Sequence, residues 1–537
     1  MNKLLDYLFG NKLDAETRRY LTAIVRVPEQ ASRRRVEALS ARWDLETEQK
    51  VVLGTTPWGL PIAPPAIELL RAHGIITGAS GAGKTILAVA IITTFLALWV
   101  LGKVGFTVLD AKSDLYMGVI FELEKLLQRL ERSDPKKAAK LRGRICILNL
   151  GSSDPIGSYN ILTLPAGADL ETFAANRADL LMDLLPGSTD KLSLTGFALL
   201  QTLVLLLIEL GLPITYGLDV LDDEALRARL LARATNDRVK TYFHRQFPKL
   251  PKSTIAALSR RLGALFGSHS VRLALAGTTA PDFQRLQDEG YLVLVSCGGL
   301  DTSRSIRQLL QALIHSDNSQ AIFRRKNVAL PHLEIYDEAQ TFFFSQAQRD
   351  SMSDLLCMSR SFGTHFLLLT QNLSTAVGDS KLLRILHTNT RWALTLRSDP
   401  SDCTFLKGAL PVSGRLKRDK TNPFEETTFH SVSDERAMAL ESLASLPDRE
   451  GYFWPKASSP EAIRIRTIDH HIPVGAELEA ATQTIRNNAL IGMRMTRAQY
   501  MDQITQRDRE WIVQETKSNF GDRLTSTYRR SRKGDDD

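Results

Sequence analysis

The chain has 537 residues, 43% of them hydrophobic and 24% charged, with a formal net charge of +8 and a pI of about 9.2. Length and composition exclude a disordered chain and a disulfide-framed miniprotein, and predict a globular protein of about three structural units. Mild basicity in so large a chain fits a polyanionic partner and fits a solvated surface equally well.

Residues 1–50 read as a charged helical segment with an arginine cluster at Arg33, Arg34 and Arg35. Met1–Gly10 is apolar, but it is too short for a secretory signal and is interrupted by Lys3 and Asp6. Ile75-Ile76-Thr77 then forms a short β-rich entry to Gly78-Ala79-Ser80-Gly81-Ala82-Gly83-Lys84-Thr85. This is G-x-x-x-x-G-K-[ST], a phosphate-binding P-loop. Its glycines let backbone N–H groups turn inward around a triphosphate, Lys84 reaches the β- and γ-phosphates, and the Thr85 hydroxyl binds Mg²⁺. ATP and Mg²⁺ are the cofactors this pattern implies.

The next segment, Thr85–Gly102, is uncharged and almost long enough to span a bilayer. Its first residue belongs to the P-loop, so it is expected to be the helix behind that loop, with the N-terminus aimed at the phosphates. Leu192–Ile208 is similarly uncharged and is read as a core helix; no intrinsic membrane span is expected. The four cysteines, Cys146, Cys297, Cys357 and Cys403, lie far apart without C-x-x-C spacing. They suggest a reducing cytosol and neither a zinc site nor a disulfide frame.

The second chemical motif is Leu333–Glu338, a buried-type strand ending in Asp-Glu. In a P-loop NTPase the acidic residue ending such a strand holds the Mg²⁺ shell, and a Glu beside it polarises the attacking water. Asp337 is thus the expected metal-side carboxylate and Glu338 the expected general base. Gly105–Asp110 is a rival apolar strand ending in Asp, without the following Glu; Glu334 and Asp110 are the fallback bases. About 250 residues separate Thr85 from Asp337, far more than βα units of about 30 residues require. The segment 165–285 is Leu-, Ala- and Arg-rich with helical periodicity, and core strands resume at Gly290–Cys297.

The order of these pieces resembles that of the FtsK–HerA group of ring-forming pump ATPases, most of all the conjugative coupling proteins of the TraG/VirD4 kind. The likeness runs from about Val51 to Lys456. Val52-Leu53-Gly54 and Trp58-Gly59-Leu60-Pro61 resemble a β-hairpin before the P-loop, and His73 stands where a His often leads into the P-loop strand. Asp110-Ala111-Lys112-Ser113 resembles the group's Asp-x-Lys-Gly segment with Ser113 for glycine. Ser158-Tyr159-Asn160-Ile161-Leu162 resembles its Tyr-Asn-Pro-Leu segment with Ile161 for proline. Phe283–Ser296 resembles the strand that re-enters the core after an inserted helical domain, and Ser359-Arg360-Ser361-Phe362-Gly363 resembles an Arg-Lys/Ser-Tyr-Gly turn.

The resemblance implies an α/β RecA-like P-loop NTPase core of the ASCE class with an inserted all-α domain. The expected division is 1–50 helical, 51–164 with 286–472 as a discontinuous nucleotide-binding domain, 165–285 all-α, and 473–537 a helix followed by a mixed-charge tail. It also implies roles. Gln371, ending the strand Phe366–Gln371, senses the γ-phosphate or the water. Arg360 is a trans-acting arginine finger, worth about 10³–10⁵ in rate in related systems. Arg397, ending the strand Trp392–Leu396, is the runner-up finger or sensor.

The implied function is a homo-hexameric, ATP-driven DNA motor of a mobile element. The alternatives are an ATPase subunit that activates a partner nuclease and a secretion ATPase that moves protein. A relaxase, a membrane channel or a nuclease is the partner each reading calls for. Coupling proteins carry N-terminal transmembrane helices and 1–50 shows none, so a cytoplasmic protein, recruited to the membrane by a partner, is expected. Two basic runs are candidate DNA contacts. One is Lys136, Lys137, Lys140, Arg142 and Arg144. The other is Arg238, Lys240, Arg245, Lys249 and Lys252, interleaved with Tyr242, Phe243 and Phe247 and followed by Arg260 and Arg261.

Overall fold

The computed structural model describes residues 15–46, 49–150, 156–157, 159–184, 193–266, 269–277, 280–298, 304–343, 345–371, 380–413, 430–488, 494–495, 498, 501–502 and 505–506. The charged end after 506 and Ser158 lie outside them. By contacts the chain forms two units: 1–146 with 282–298 and 310–490, and 147–281 with 299–309 and 491–537.

The first unit is organised by a mixed sheet. Its strands are β1 (Gly54–Thr55), β2 (Pro61–Ile62), β3 (His73–Thr77), β4 (Gly105–Asp110), β5 (Ile145–Asn149), β7 (Leu292–Ser296), β8 (His332–Asp337), β9 (Thr364–Thr370), β10 (Thr390–Leu396), β11 (Glu450–Trp454) and β12 (Ile463–Thr467). A further strand, β6 (Ile156–Gly157), belongs to the second unit. The order across the sheet is β2-β1-β12-β11-β10-β3-β9-β8-β4-β7-β5. From β10 to β7 neighbours run parallel, and β11, β12, β1 and β2 extend one edge antiparallel. The P-loop strand β3 and the Asp-Glu strand β8 are separated by β9, the RecA-like arrangement of the ASCE class.

Strands β3, β4, β7, β8 and β9 are buried along their whole length. They read as unbroken apolar runs because helices cover both faces of a parallel sheet. Helix Lys84–Val100 is one of these covers. Leu87–Ile92, Phe95, Leu96 and Trp99 are buried, and the Trp99 indole donates to the Gly290 carbonyl at 3.1 Å. Its apolarity is that of a core helix, and no helix among the described residues is long and apolar enough to cross a membrane. Helix Asp114–Ser133 packs on it and in turn receives helix Ala476–Asn488.

Re-entry into the sheet differs from the expected strand Phe283–Ser296. Asp282 accepts the Arg285 N–H and caps a short helix, Phe283–Asp288, so only Leu292–Ser296 is extended. At the other end of the unit, Ala15–Asp44 is a helix. In its described part Arg33 pairs with Glu37 at 2.8 Å and Arg35 with Glu461 at 3.2 Å. Two members of that arginine cluster are therefore engaged in ion pairs, one within the helix and one with the distant Glu461.

The described residues of the second unit are mostly helical, with the end of β5 and a two-stranded antiparallel ribbon of β6 with Arg494–Met495. Helix Leu194–Glu209 is its centre, buried at Leu199, Leu200 and Leu203–Ile208, and flanked by Leu170–Leu184 and Lys252–Leu265. Several of its helices start on side-chain caps. Ser193, Asp223 and Asn236 each accept a first-turn N–H.

Five histidines of the first unit, His73, His315, His332, His365 and His387, are held below the ordinary imidazole range, in each case mainly by burial. His73 falls to about 3, and His315, His365 and His387 to about 4. In the unfolded chain these rings protonate near pH 6.5. Between about pH 6.5 and 4 the unfolded state therefore binds more protons, and stability falls as pH falls through that window. The melting temperature should drop between pH 7.5 and pH 5; a level profile would contradict the burial of these rings.

Candidate active site

At the end of β3 the chain turns through Gly78–Gly83 and enters its helix at Lys84. Gly81 and Gly83 have φ of 76° and 98°, a region that glycine enters at low cost. At Gly83 space is also limiting, since a Cβ there would lie 3.0 Å from Cγ of Arg449. The loop is pinned from outside. Gly78 N–H donates to the Thr370 carbonyl (3.2 Å) and Ala79 N–H to the Arg397 carbonyl (2.6 Å), while the Ala82 carbonyl accepts from Arg449 N–H (3.1 Å). Gly78 and Ala79 thus spend their N–H groups on neighbouring strands. Those of Ser80, Gly81 and Gly83 donate to no backbone acceptor among the described residues. Unpaired donors in a tight loop at a helix N-terminus form a cradle for an anion. Lys84 Nζ lies in the cradle, 2.7 Å from the Gly78 carbonyl and 3.0 Å from that of Ala79. Burial lowers its pKa, opposed by the charges of Glu338 and Asp337.

The two motifs meet because the parallel register aligns strand ends. Thr77 pairs with Thr370 and with Thr395, and Asp110 pairs with Asp337. Asp337 is buried. One of its oxygens accepts the Glu338 N–H at 3.0 Å, and no described residue donates to the other. Burial first, then the charges of Asp110 and Glu338, push its pKa up. A carboxylate so destabilised is suited to a cation, and a loop built of free donors is suited to polyphosphate. The residues present therefore fit Mg²⁺ held by Thr85 and Asp337 and a nucleotide held by the loop.

The rival carboxylate has other work. Asp110 accepts the N–H of Lys112 (2.7 Å) and of Tyr116 (2.8 Å) and so shapes the turn into helix Asp114–Ser133. Glu334, the other fallback base, lies inside β8 in a buried network with Asn318 (2.7 Å), Gln287 (3.3 Å) and His332 (3.4 Å).

Glu338 sits in a left-handed turn with φ 52° and is nearly buried. Its Oε1 accepts from Lys112 Nζ at 2.6 Å and from the Gln371 amide, and its Oε2 accepts from the Gln340 amide at 2.5 Å. Gln340 is held in turn by the Thr370 hydroxyl, which donates to its carbonyl oxygen at 2.9 Å. Gln371 thus joins Glu338, as its place at the end of β9 requires. The sequence does not show the Lys112 contact, although the Asp110-Ala111-Lys112 segment stands out in it. Three non-glycine residues with positive φ occur among the described ones, Ser113, Glu338 and Arg449. One flanks Lys112, one is the expected base and one pins the P-loop, so the strained backbone is gathered at this site.

The remaining candidates bring no side-chain hydrogen bond or ion pair to it among the described residues. Arg397 reaches the P-loop by its backbone carbonyl, while its side chain pairs with Asp448 at 2.9 Å. Arg360 is exposed in the turn before β9, at the end of the sheet opposite Gln371. Seven residues of strand at about 3.3 Å each separate them, on the order of 20 Å. His73 is a core residue whose Nδ1 accepts the Phe366 N–H at 3.0 Å.

Of the basic runs, Arg142 pairs with Glu131 at 2.8 Å and Arg144 lies over the Tyr291 ring, leaving Lys136 and Lys140 exposed. In the second run Tyr242, Phe243 and Phe247 are buried, so they offer no stacking platform; Arg238, Arg245, Lys249 and Lys252 are exposed around them.

No protein-family model matches the chain, and no curated protein matches it. Among solved structures it is similar to VirB4 of Thermoanaerobacter pseudethanolicus, with 13% identity over 79% of this chain and 97% of that one and a TM-score of 0.49. It is similar also to the plasmid coupling protein TrwB in complex with the non-hydrolysable GTP analogue GDPNP, with 14% identity over 80% and 92% and a TM-score of 0.49. A third is the cytoplasmic domain of the type VII secretion ATPase EccC of Thermomonospora curvata, with 12% identity over 82% and 31% and a TM-score of 0.31. TrwB is, by its description, a bacterial conjugative coupling protein.

Proposed function

We propose that the chain is an ATPase that works as a homo-hexameric motor on DNA, of the coupling-protein and HerA type, in the service of a mobile element. The observation that supports hydrolysis best is the meeting of the P-loop, Asp337, Glu338 and Gln371 at the aligned ends of β3, β8 and β9. Lys84 and the free N–H groups neutralise the β- and γ-phosphates. Thr85 and Asp337 hold Mg²⁺, which when bound draws charge from the phosphate oxygens. Glu338 orients a water whose oxygen bonds to the γ-phosphorus as the bridging bond to ADP breaks, and the water proton passes to the carboxylate or the released phosphate. Arg360, far from its own P-loop and exposed, serves the site of a neighbouring copy.

DNA is the proposed track, held by phosphate contacts. Binding should show little sequence preference and weaken with salt at a log–log slope of about −0.9 per phosphate contacted on duplex, and DNA should raise ATP turnover. Fluorescence anisotropy across a salt series, paired with phosphate release, tests this. Turnover indifferent to single- and double-stranded DNA alike would overturn the motor and favour the subunit that activates a partner nuclease.

A further inference from the structure

We propose that Lys112 is a positioning residue for Glu338: its ammonium, with the amides of Gln340 and Gln371, fixes the carboxylate so that one acceptor site remains, on Oε2, for the attacking water. This rests on the reading of Glu338 as the residue that orients water.

The local construction is aimed at residue 112. Asp110 accepts the Lys112 N–H and the Tyr116 N–H, closing the turn on both sides. Ser113 holds a left-handed φ of 85°, a strained conformation for a residue with a Cβ, and its hydroxyl bonds that of Ser296 at the end of β7 at 2.5 Å. Gly298 approaches so closely that a Cβ there would lie 2.2 Å from the Lys112 carbonyl oxygen. Strain, a hydroxyl pair and a close backbone approach all set where the Lys112 side chain starts.

The side chain ends 2.6 Å from Glu338 Oε1. Glu338 has only 6% of its side chain exposed while Lys112 has 52%, so the ammonium is the solvent-side cover of a nearly buried carboxylate. A carboxylate has about four acceptor sites. Lys112 and Gln371 take two on Oε1, and Gln340 takes one on Oε2. What remains is a single direction in which Glu338 can hold a water. Effective alignment of a reacting group is worth several powers of ten in rate, and Lys112 supplies the charged third of the clamp, a charge-assisted bond of the stronger kind.

The test compares wild type with Lys112→Met, which keeps the length and removes the charge, and Lys112→Arg, which keeps the charge. Because the side chain is half exposed, both should melt like wild type. Lys112→Met is expected to lower kcat about 10–100-fold while ATP affinity changes less than about threefold, and Lys112→Arg is expected to regain most of the loss. The decisive variant is Lys112→Met combined with Glu338→Gln. A residue acting through Glu338 has nothing left to act on, so the double variant should turn over no more slowly than Glu338→Gln alone.

An unchanged kcat, a loss of ATP affinity in proportion to kcat, or a further loss in the double variant would each overturn the proposal. The second of these would make Lys112 a phosphate ligand. Wild type that binds ATP without hydrolysing it would overturn the functional reading itself and this inference with it. Wild-type turnover with an indifferent Lys112→Met overturns this inference alone.

Discussion

Glu338→Gln is expected to bind ATP as wild type does and to lose about 10²–10⁴ in turnover, whereas Lys84→Ala is expected to lose turnover and ATP affinity together. The split follows from where each side chain ends. Lys84 Nζ occupies the cradle itself, against the carbonyls of Gly78 and Ala79. Its removal therefore strips positive charge from both the ground state and the transition state. Glu338 lies beyond the cradle, clamped by Lys112, Gln340 and Gln371, and glutamine keeps the shape while losing the charge that orients water. Steady-state phosphate release and equilibrium nucleotide binding separate the two variants. Wild-type-like turnover in Glu338→Gln would move the role elsewhere. Asp110 has both oxygens committed to backbone N–H groups and Glu334 is enclosed in β8, so either would require the site to rearrange.

Arg360→Ala is expected to lose about 10³–10⁵ in turnover with ATP affinity kept, and to regain part of it when co-assembled with Lys84→Ala. Arg360 stands at the start of β9, on the order of 20 Å of strand from the site at its end, and it is exposed. From there it cannot stabilise a transferring phosphoryl in its own subunit. In a ring, some interfaces of the mixture would pair an intact P-loop with an intact arginine. Co-assembly is verified by mass, and phosphate release is then read. Activity at background in a verified mixture would make Arg360 structural. Arg397, tied to Asp448 beside its own P-loop, would be next for the same experiment.

What was legible in the sequence was what is local in it. The P-loop, the Asp-Glu strand end and Gln371 are each short runs whose chemistry is carried by neighbours along the chain. Hydrophobic continuity then placed β3, β4 and β8, and the family resemblance placed β9. The helix behind the P-loop was separable from a membrane span only because Thr85 opens it. What was not legible depends on register and strain. Lys112 and Glu338 meet because Asp110 and Asp337 pair across β4 and β8, a fact that no run of residues states. Ser113 was visible as a departure from glycine, but its φ of 85° was not. Arg449, which pins Ala82 from outside, lies far along the chain and carries no motif. The sequence shows Tyr242, Phe243 and Phe247 interleaved with the second basic run but not which way they face; all three are buried, while the charges around them stay outside.

The central claim is that Lys84, Thr85, Asp337 and Glu338 form one Mg²⁺-dependent hydrolytic site. It is tested most directly by phosphate release from ATP by the purified wild-type chain, with Mg²⁺ and with the metal chelated. Turnover should require Mg²⁺ and disappear in Asp337→Asn. Phosphate release that survives chelation, or that persists in Asp337→Asn at the wild-type rate, would contradict it.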